Sequence, residues 1–277
     1  MIVMEKGIEV TAAAEPYSQQ RKKTGKKAGS GRLGVLLGQI SVGVIVFGAW
    51  EICSGRVFNS FWMSKPSLIF MRIINMALEG ILWTHLRATL LEILIGLVIG
   101  MVGGVFLGVV LAYSGNFQKW VSPYILALFS LPKASMAPLF VIWLGIGLVS
   151  KVVMVTFMVI FVVFFNVYDN IRNIDHSLNE MMSAFKASPV KRLQWVILPS
   201  ITACVLNSLR ISIGNATIGA VIAEMVGASC GVGYYITYSS GILDTTGTFA
   251  GLFVIMIVAI ILGQLVGVLE RHLLRFR

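Results

Sequence analysis

A few ionisable and amide side chains fall inside long apolar runs of this sequence. Arg210 and Glu224 lie in one such run together with Asn207 and Asn215, and Lys133 lies in an earlier run. A charge exposed to the bilayer interior costs several kcal/mol, so these residues should face protein or water. We therefore expect all five to be candidates for lining a polar path through a membrane.

Two of these assignments have structural alternatives. Arg210 and Glu224 would be about 21 Å apart along one helix, too far to pair directly, and each could satisfy a neighbouring group at a helix contact. Lys133 stands between Pro132 and Pro138, where the helix should be interrupted. Its ammonium could attract an anionic solute or extend to the membrane surface.

The residue types that support catalysis or cofactor binding are scattered. Cys53, Cys204 and Cys230 are isolated and lack metal or redox spacing, and the three histidines are equally dispersed. The phosphate-binding pattern GxxxxGK[ST] does not occur in the sequence, and Thr248 follows Gly247 where that pattern requires lysine. We expect no metal, no cofactor and no enzymatic activity in this chain.

The composition predicts an all-α membrane fold with six transmembrane helices. Of 277 residues, 57% are hydrophobic and 12% charged, whereas soluble domains have about 25% charged residues. Several runs reach the ~20 residues that a spanning helix needs. The predicted spans cover approximately 33–53, 88–113, 120–147, 148–168, 201–226 and 249–269.

Basic residues predict the orientation and the domain organisation. Fifteen lie in segments on the side of the N terminus and five on the other side, so both termini should be cytoplasmic. The net charge of +10 owes much to a basic N-terminal arm without a folded basic module, which argues against nucleic-acid binding. The expected organisation is a disordered cytoplasmic arm (1–32), a first span (33–53), an external interfacial segment (54–87), a core (88–270) with a cytoplasmic loop (169–200), and a cytoplasmic tail (271–277).

Four glycines recur every fourth residue in the second predicted span. Gly96, Gly100, Gly104 and Gly108 form three overlapping GxxxG patterns on one helix face. Such a face lets another helix backbone approach closely in lipid. We expect a second helix to pack there, within the subunit or across a dimer.

The cytoplasmic loop contains two helix-start signals. Ser177 and Glu180 have the spacing of a capping box, and Ser188-Pro189 has serine and proline at the first positions of a second helix. Leu198-Pro199 then opens the fifth span. Two short helices between two spans would form a compact knob suited to docking a soluble partner.

This loop resembles the "EAA" coupling loop of binding-protein-dependent ABC importer permeases. The family's Glu-Ala-Ala start corresponds here to Glu180-Met181-Met182, and Lys186 lies where the family has glycine. Val196-Ile197-Leu198-Pro199 then follows at the expected spacing. Further segments resemble the nitrate/sulfonate/taurine branch of type I (MetI-like) permeases: Leu131-Pro132-Lys133, Ala137-Pro138-Leu139, 143–147, Leu209-Arg210-Ile211 and 223–229.

The resemblance implies an ATP-driven importer subunit in a bacterial inner membrane. It would act as a homodimer in lipid with a separate ATPase and an extracellular or periplasmic binding protein that delivers a small, anionic solute. Glu180, Met181, Met182, Lys186, Leu198 and Pro199 would form the ATPase-coupling segment. Lysine at position 186 departs from the family, because glycine tolerates positive φ and lysine does not.

The alternative is a self-sufficient secondary transporter or channel. That class is typically built from inverted repeats with paired broken helices. The sequence has one interrupted span and no convincing repeat, which favours the importer subunit.

Overall fold

The computed structural model describes residues 30–59, 61–174, 181, 184–185, 188, 191 and 193–274. The described residues form helices and connecting turns and contain no β-strand, which confirms the all-α fold. The α-helices are α1 (Ser30–Cys53), α2 (Pro66–Leu78), α3 (Ile81–Tyr113), α4 (Asn116–Ser130), α5 (Ala137–Leu144), α6 (Leu148–Arg172), α7 (Leu198–Gly227), α8 (Val232–Gly241) and α9 (Thr245–Leu274). A short 3-10 helix (Lys133–Met136) precedes α5, and a π-helical turn (Leu193–Ile197) precedes α7.

Five of these helices, α1, α3, α6, α7 and α9, are long and apolar enough to cross a membrane. Helix α4 and the segment Lys133–Leu144 together qualify as a sixth span, but they are bent by 89°. The chain divides after Trp50, so that α1 lies largely in a first unit and the other helices form a second.

The third predicted span breaks at one proline instead of two. Pro132 lies between α4 and the 3-10 helix, where its ring ends the helical path. Pro138 does not interrupt a helix, because it lies in the first turn of α5, where its missing N–H has no helical partner to lose. Pro123 lies inside α4.

Helix α3 begins seven residues before the predicted start of the second span, at Ile81. The preceding Gly80 has φ +81°, a left-handed conformation that separates α2 from α3. Arg87 does not end the helix because it points outward and is exposed. The expected interfacial segment 54–87 therefore contains α2 and the first two turns of α3.

Helices α3 and α6 pack along the glycine face. A Cβ added to Gly96, Gly100, Gly104 or Gly108 would lie 2.5 to 3.0 Å from the Cβ of Val155, Val159, Val163 or Val167, in that order. Each step advances four residues on both helices, so α3 and α6 run parallel. Because parallel neighbouring helices must be joined by a segment that returns along their length, α4, the bend and α5 together carry the chain back.

Helix α8, which the sequence analysis did not predict, folds back along the start of α9. A Cβ on Gly251 would lie 2.5 Å from Ile236, and one on Gly247 would lie 2.7 Å from Ser239. The later residue of α9 meets the earlier residue of α8, so the two helices pack antiparallel. Val232, at the N terminus of α8, lies in one buried cluster with Val254 and Val258 of α9. Those two valines are about ten residues, or ~15 Å, from the start of α9. Helix α8 is thus a half-helix whose N terminus points into the bundle.

Candidate functional site

A buried ion pair lies at the N-terminal end of the contact between α3 and α6. Glu92 lies four residues before Gly96, and Lys151 lies four residues before Val155, so the pair continues the glycine–valine register. The Lys151 ammonium contacts Glu92 Oε1, and the two residues are 8% and 1% exposed. Glu92 lies about 16 Å from the start of α3, within the apolar part of that helix. Sequence reasoning missed this pair, although an acidic residue in an apolar run was the available signal.

Glu224 lies beside that ion pair at the N terminus of α8. Its Oε1 accepts a hydrogen bond of 2.6 Å from the Thr89 hydroxyl, and its Oε2 accepts one of 2.6 Å from the backbone N–H of Gly233. Thr89 Oγ1 in turn accepts the N–H of Val232 at 2.9 Å. Carboxylates are stabilised at helix N termini because unpaired N–H groups and the helix dipole favour negative charge there.

The Glu224 side chain, a candidate for the transport path, is buried in this conformation. Glu224 is 1% exposed, and its hydrogen bonds are made inside the subunit. In this conformation it therefore holds α8 against α3 and α7 and does not line an open surface.

Two glycines allow the carboxylate to reach the start of α8. Gly231 has φ +130°, and a Cβ there would lie 2.2 Å from Glu224 Cδ. A Cβ on Gly233 would lie 2.5 Å from the carbonyl oxygen of Val221 and 2.9 Å from Glu224 Cβ. The Gly231 N–H also donates to His85 Nδ1 at 3.1 Å. Side chains at either glycine would push α8 away from Glu224.

Arg210 lies about 21 Å from Glu224 along α7 and is exposed, whereas Glu224 is buried. Asn207 and Arg210 are exposed and Asn215 is half-buried, whereas Ser208 and Ser212 face the core. Asn215 donates to the Ile211 carbonyl at 3.2 Å, and Arg210 approaches Glu270 at 4.0 Å. Asn207 and Arg210 thus lie on the exposed side of α7, and Asn215 lies at the edge of that side.

A surface cavity of about 990 Å³ lies between Arg210 and α9. It is lined by Arg210, Ala259, Ile260, Gly263, Gln264, Gly267, Val268, Glu270 and Arg271. Its arginines and glutamine are hydrogen-bond donors, and a Cβ on Gly263 or Gly267 would meet nothing within 4 Å.

Lys133 lies at the bend between α4 and α5. Its ammonium donates to the Phe129 carbonyl at 3.3 Å and lies 4.2 Å from the centre of the Phe129 ring. A cation over an aromatic face is attracted by the ring quadrupole. The side chain thus folds back over α4.

Only part of the predicted coupling segment lies among the described residues. Glu180, Met182 and Lys186 lie outside them, as does the Ser177 capping box. Ser188 Oγ accepts the N–H of Lys191 at 3.4 Å, in the pattern of a helix N-cap. Helix α7 begins at Leu198 with Pro199 in its first turn.

The described part of the loop exposes large apolar side chains. Met181 and Leu198 are each 47% exposed, Phe185 is 77% exposed and Trp195 is 73% exposed. Ser200 Oγ and Asn170 Oδ1, 3.2 Å apart, join the two helices at the base of the loop. Phe185 and Trp195 were not singled out from the sequence. Exposed aromatic residues on a polar loop indicate a surface that binds another protein.

Comparisons with known proteins agree with this architecture. Residues 102–275 match the family model described as binding-protein-dependent transport system inner membrane component. The chain is 29% identical to a protein of Bacillus subtilis named as an aliphatic sulfonates transport permease, over 93% of this chain and 92% of that protein. It is 30% identical to the formylaminopyrimidine transport permease protein of Halalkalibacterium halodurans, over 82% of this chain and 91% of that protein.

A solved structure shares the fold. An inward-facing structure of the MetNI methionine ABC transporter aligns with a TM-score of 0.57 at 23% identity, over 67% of this chain and 93% of that chain.

Proposed function

Because the chain belongs to the binding-protein-dependent transport system inner membrane component family, we propose that it carries a small anionic solute across the membrane for an ABC importer. The family implies an ATPase and a solute-binding protein as partners. The chain itself is a multi-pass permease subunit and not an enzyme. The finer proposal is that a binding protein delivers the solute and that a separate ATPase drives its passage through the loop around Glu180.

The observation that carries the coupling proposal is the exposed apolar surface of the loop between α6 and α7. Met181, Phe185 and Trp195 are all exposed there. Apolar and aromatic side chains at the centre of an interface supply much of its binding energy. Because the loop joins two helices that are packed along the core, a force applied to it would be transmitted to α6 and α7.

Glu180 should be the charged contact of this surface. The test is Glu180→Ala in proteoliposomes that contain the ATPase and the binding protein. We expect membrane assembly to be unchanged while solute-stimulated ATP hydrolysis and uptake fall together. Wild-type turnover in this variant would contradict the coupling role, and uptake without ATP would contradict the importer mechanism altogether.

An anionic solute is supported by the charges on the exposed side of α7. The Arg210 side chain is 65% exposed within a spanning helix, where a lipid-facing charge would be unfavourable. Arginine is well suited to binding sulfonates or nitrate, because its planar donor groups can make paired hydrogen bonds to oxyanions. The sulfonate name of one relative points the same way. Nitrate, taurine or another sulfonate are the solutes to try first.

The exposed side of α7, which carries Arg210, is also the proposed interface of a homodimer. Arg210 and the cavity beside α9 need a covering other than lipid, and Gly263 and Gly267 form an unoccupied GxxxG face. A second copy would cover this face and enclose a polar path between the two subunits.

Disulfide cross-linking tests the dimer in a variant that lacks the native cysteines. Gly263→Cys should cross-link two copies in the membrane. The matched control is Val102→Cys on α3, which is 67% exposed and lies away from the cavity. Equal cross-linking at the two positions would contradict this interface.

A further inference from the structure

Three charged side chains meet at the outer end of the bundle, and their charges do not balance. Glu92 on α3, Lys151 on α6 and Glu224 on α7 are all at least nine-tenths buried. The N terminus of α8 contributes backbone N–H groups from Val232 and Gly233. With both carboxyl groups ionised, this cluster would have a net charge of −1.

Histidine does not supply the missing positive charge. His85 on α3 accepts the Gly231 N–H through Nδ1. An imidazolium ring carries protons on both nitrogens and cannot accept a hydrogen bond. The ring that makes this bond is therefore neutral.

A hydrogen-bond donor is also missing from the cluster. Glu92 Oε1 contacts Lys151, whereas Glu92 Oε2 is buried without a hydrogen-bond partner among the described residues. Glu224 accepts a hydrogen bond from Thr89, which lies three residues before Glu92 on the same face of α3, so the Glu92 and Glu224 carboxyl groups are neighbours. Two ionised carboxylates in such contact repel each other, and a buried net charge in a membrane-spanning bundle is strongly unfavourable.

We propose that Glu92 and Glu224 together bind one proton, which makes the cluster of Glu92, Lys151 and Glu224 electrically neutral. A single proton supplies both missing elements, because it removes one negative charge and adds one O–H donor between the carboxyl groups. It belongs to the pair and not to either residue alone. The proposal does not depend on which solute the protein transports.

The proton-binding pair would hold four helices together at one point. Lys151 joins α6 to α3, and Glu224 joins α7 to Thr89 of α3 and to the start of α8. Removing the proton would leave two adjacent buried carboxylates with one lysine.

Infrared spectroscopy of the full-length protein in lipid bilayers tests the proposal, with glutamate labelled by ¹³C at the side-chain carboxyl. Protonated and ionised carboxyl groups absorb at separate frequencies, and the label identifies the glutamates. At neutral pH we expect the band of one protonated carboxyl group per chain. Glu92→Gln and Glu224→Gln should each abolish it, because the remaining carboxylate then pairs with Lys151. Lys151→Met should increase the band to that of two protonated carboxyl groups per chain, because no cation then remains in the cluster.

The matched control is Glu79→Gln, because Glu79 is exposed and lies outside the cluster. This change should leave the band unaltered. A wild-type protein without the band would overturn the proposal and would mean that the cluster carries its net charge with water or ions around it. A band that survives either single glutamine substitution would also overturn it, since the proton would then not be shared.

Discussion

Lys151 contacts Glu92 in the same register that places Val155 against Gly96 and Val159 against Gly100. One parallel helix contact thus contains both a close approach of two helix backbones and a buried ion pair. The glycine steps fix the two helix axes close together. At the end of the contact that contains Glu92, the same spacing brings the Lys151 ammonium to a carboxylate, and Glu224 joins the start of α8 to this point.

The glycine face should tolerate no side chain. In Gly104→Ala the new Cβ would lie 2.6 Å from Val163 and 2.7 Å from the Ile160 carbonyl oxygen. Overpacking of this kind typically lowers the free energy of unfolding by about 1–3 kcal/mol. Thermal unfolding in detergent should show the loss. Gly43→Ala on α1 is the control, because its Cβ meets nothing within 4 Å; similar losses in both variants would contradict the close contact.

The connection between α7 and α8 should depend on glycine at position 231. Gly231→Ala combines an unfavourable positive φ with a Cβ 2.2 Å from Glu224 Cδ, so α8 should leave the N-terminal contact and folded protein should be lost. Gly241→Ala, at the other end of α8, should be accepted because nothing lies within 4 Å of its Cβ. Yield of monodisperse protein in size-exclusion chromatography measures the difference. Equal yields would count against the Glu224–α8 contact.

A buried and an exposed ion pair of the bundle should differ in their effect on stability. Lys151→Met removes the cation that stabilises the ionised carboxylate, so the cluster must take up a second proton. Removing one partner of a buried pair typically costs about 3–5 kcal/mol. Arg72→Met breaks the exposed pair with Asp244, which is 2.7 Å long, and should cost about 0–1 kcal/mol. Denaturation of the two variants in one detergent provides the comparison. If Arg72→Met proved the more harmful, our account of the buried cluster would be wrong.

The coupling loop should lose its partner when its apolar surface is made polar. Phe185→Ser should reduce the amount of ATPase that co-purifies with the membrane protein, because an aromatic contact at the interface is lost. Leu78→Ser is the control, since Leu78 is 81% exposed at the end of α2. Undiminished ATPase recovery with Phe185→Ser would exclude Phe185 from the docking surface.

Both sides of the membrane should be distinguishable by labelling. In a variant without Cys53, Cys204 and Cys230, a membrane-impermeant maleimide should label Glu79→Cys in intact cells and Lys191→Cys only in inside-out vesicles. The physical reason is the excess of basic residues in segments on the Lys191 side. Labelling of Lys191→Cys from outside would reverse the orientation and remove the loop from the ATPase side.

The sequence by itself determined the fold class, the approximate spans and the family resemblance. Apolar runs of ~20 residues have few alternatives to transmembrane helices, because backbone polar groups in lipid must be bonded within the segment. The glycine spacing likewise indicated a face for close packing. Such signals are local, since they depend on neighbours a few positions away in the chain.

Only the tertiary structure decided which polar groups meet. Glu224 and Thr89 are 135 positions apart, and Glu92 and Lys151 are 59 apart. No periodicity links these residues, so their contacts follow from the parallel register of α3 and α6 and from the folding back of α8. The sequence predicted one packing face of a helix, the glycine face of α3. The helix that packs against this face is determined by contacts between segments that are distant along the chain.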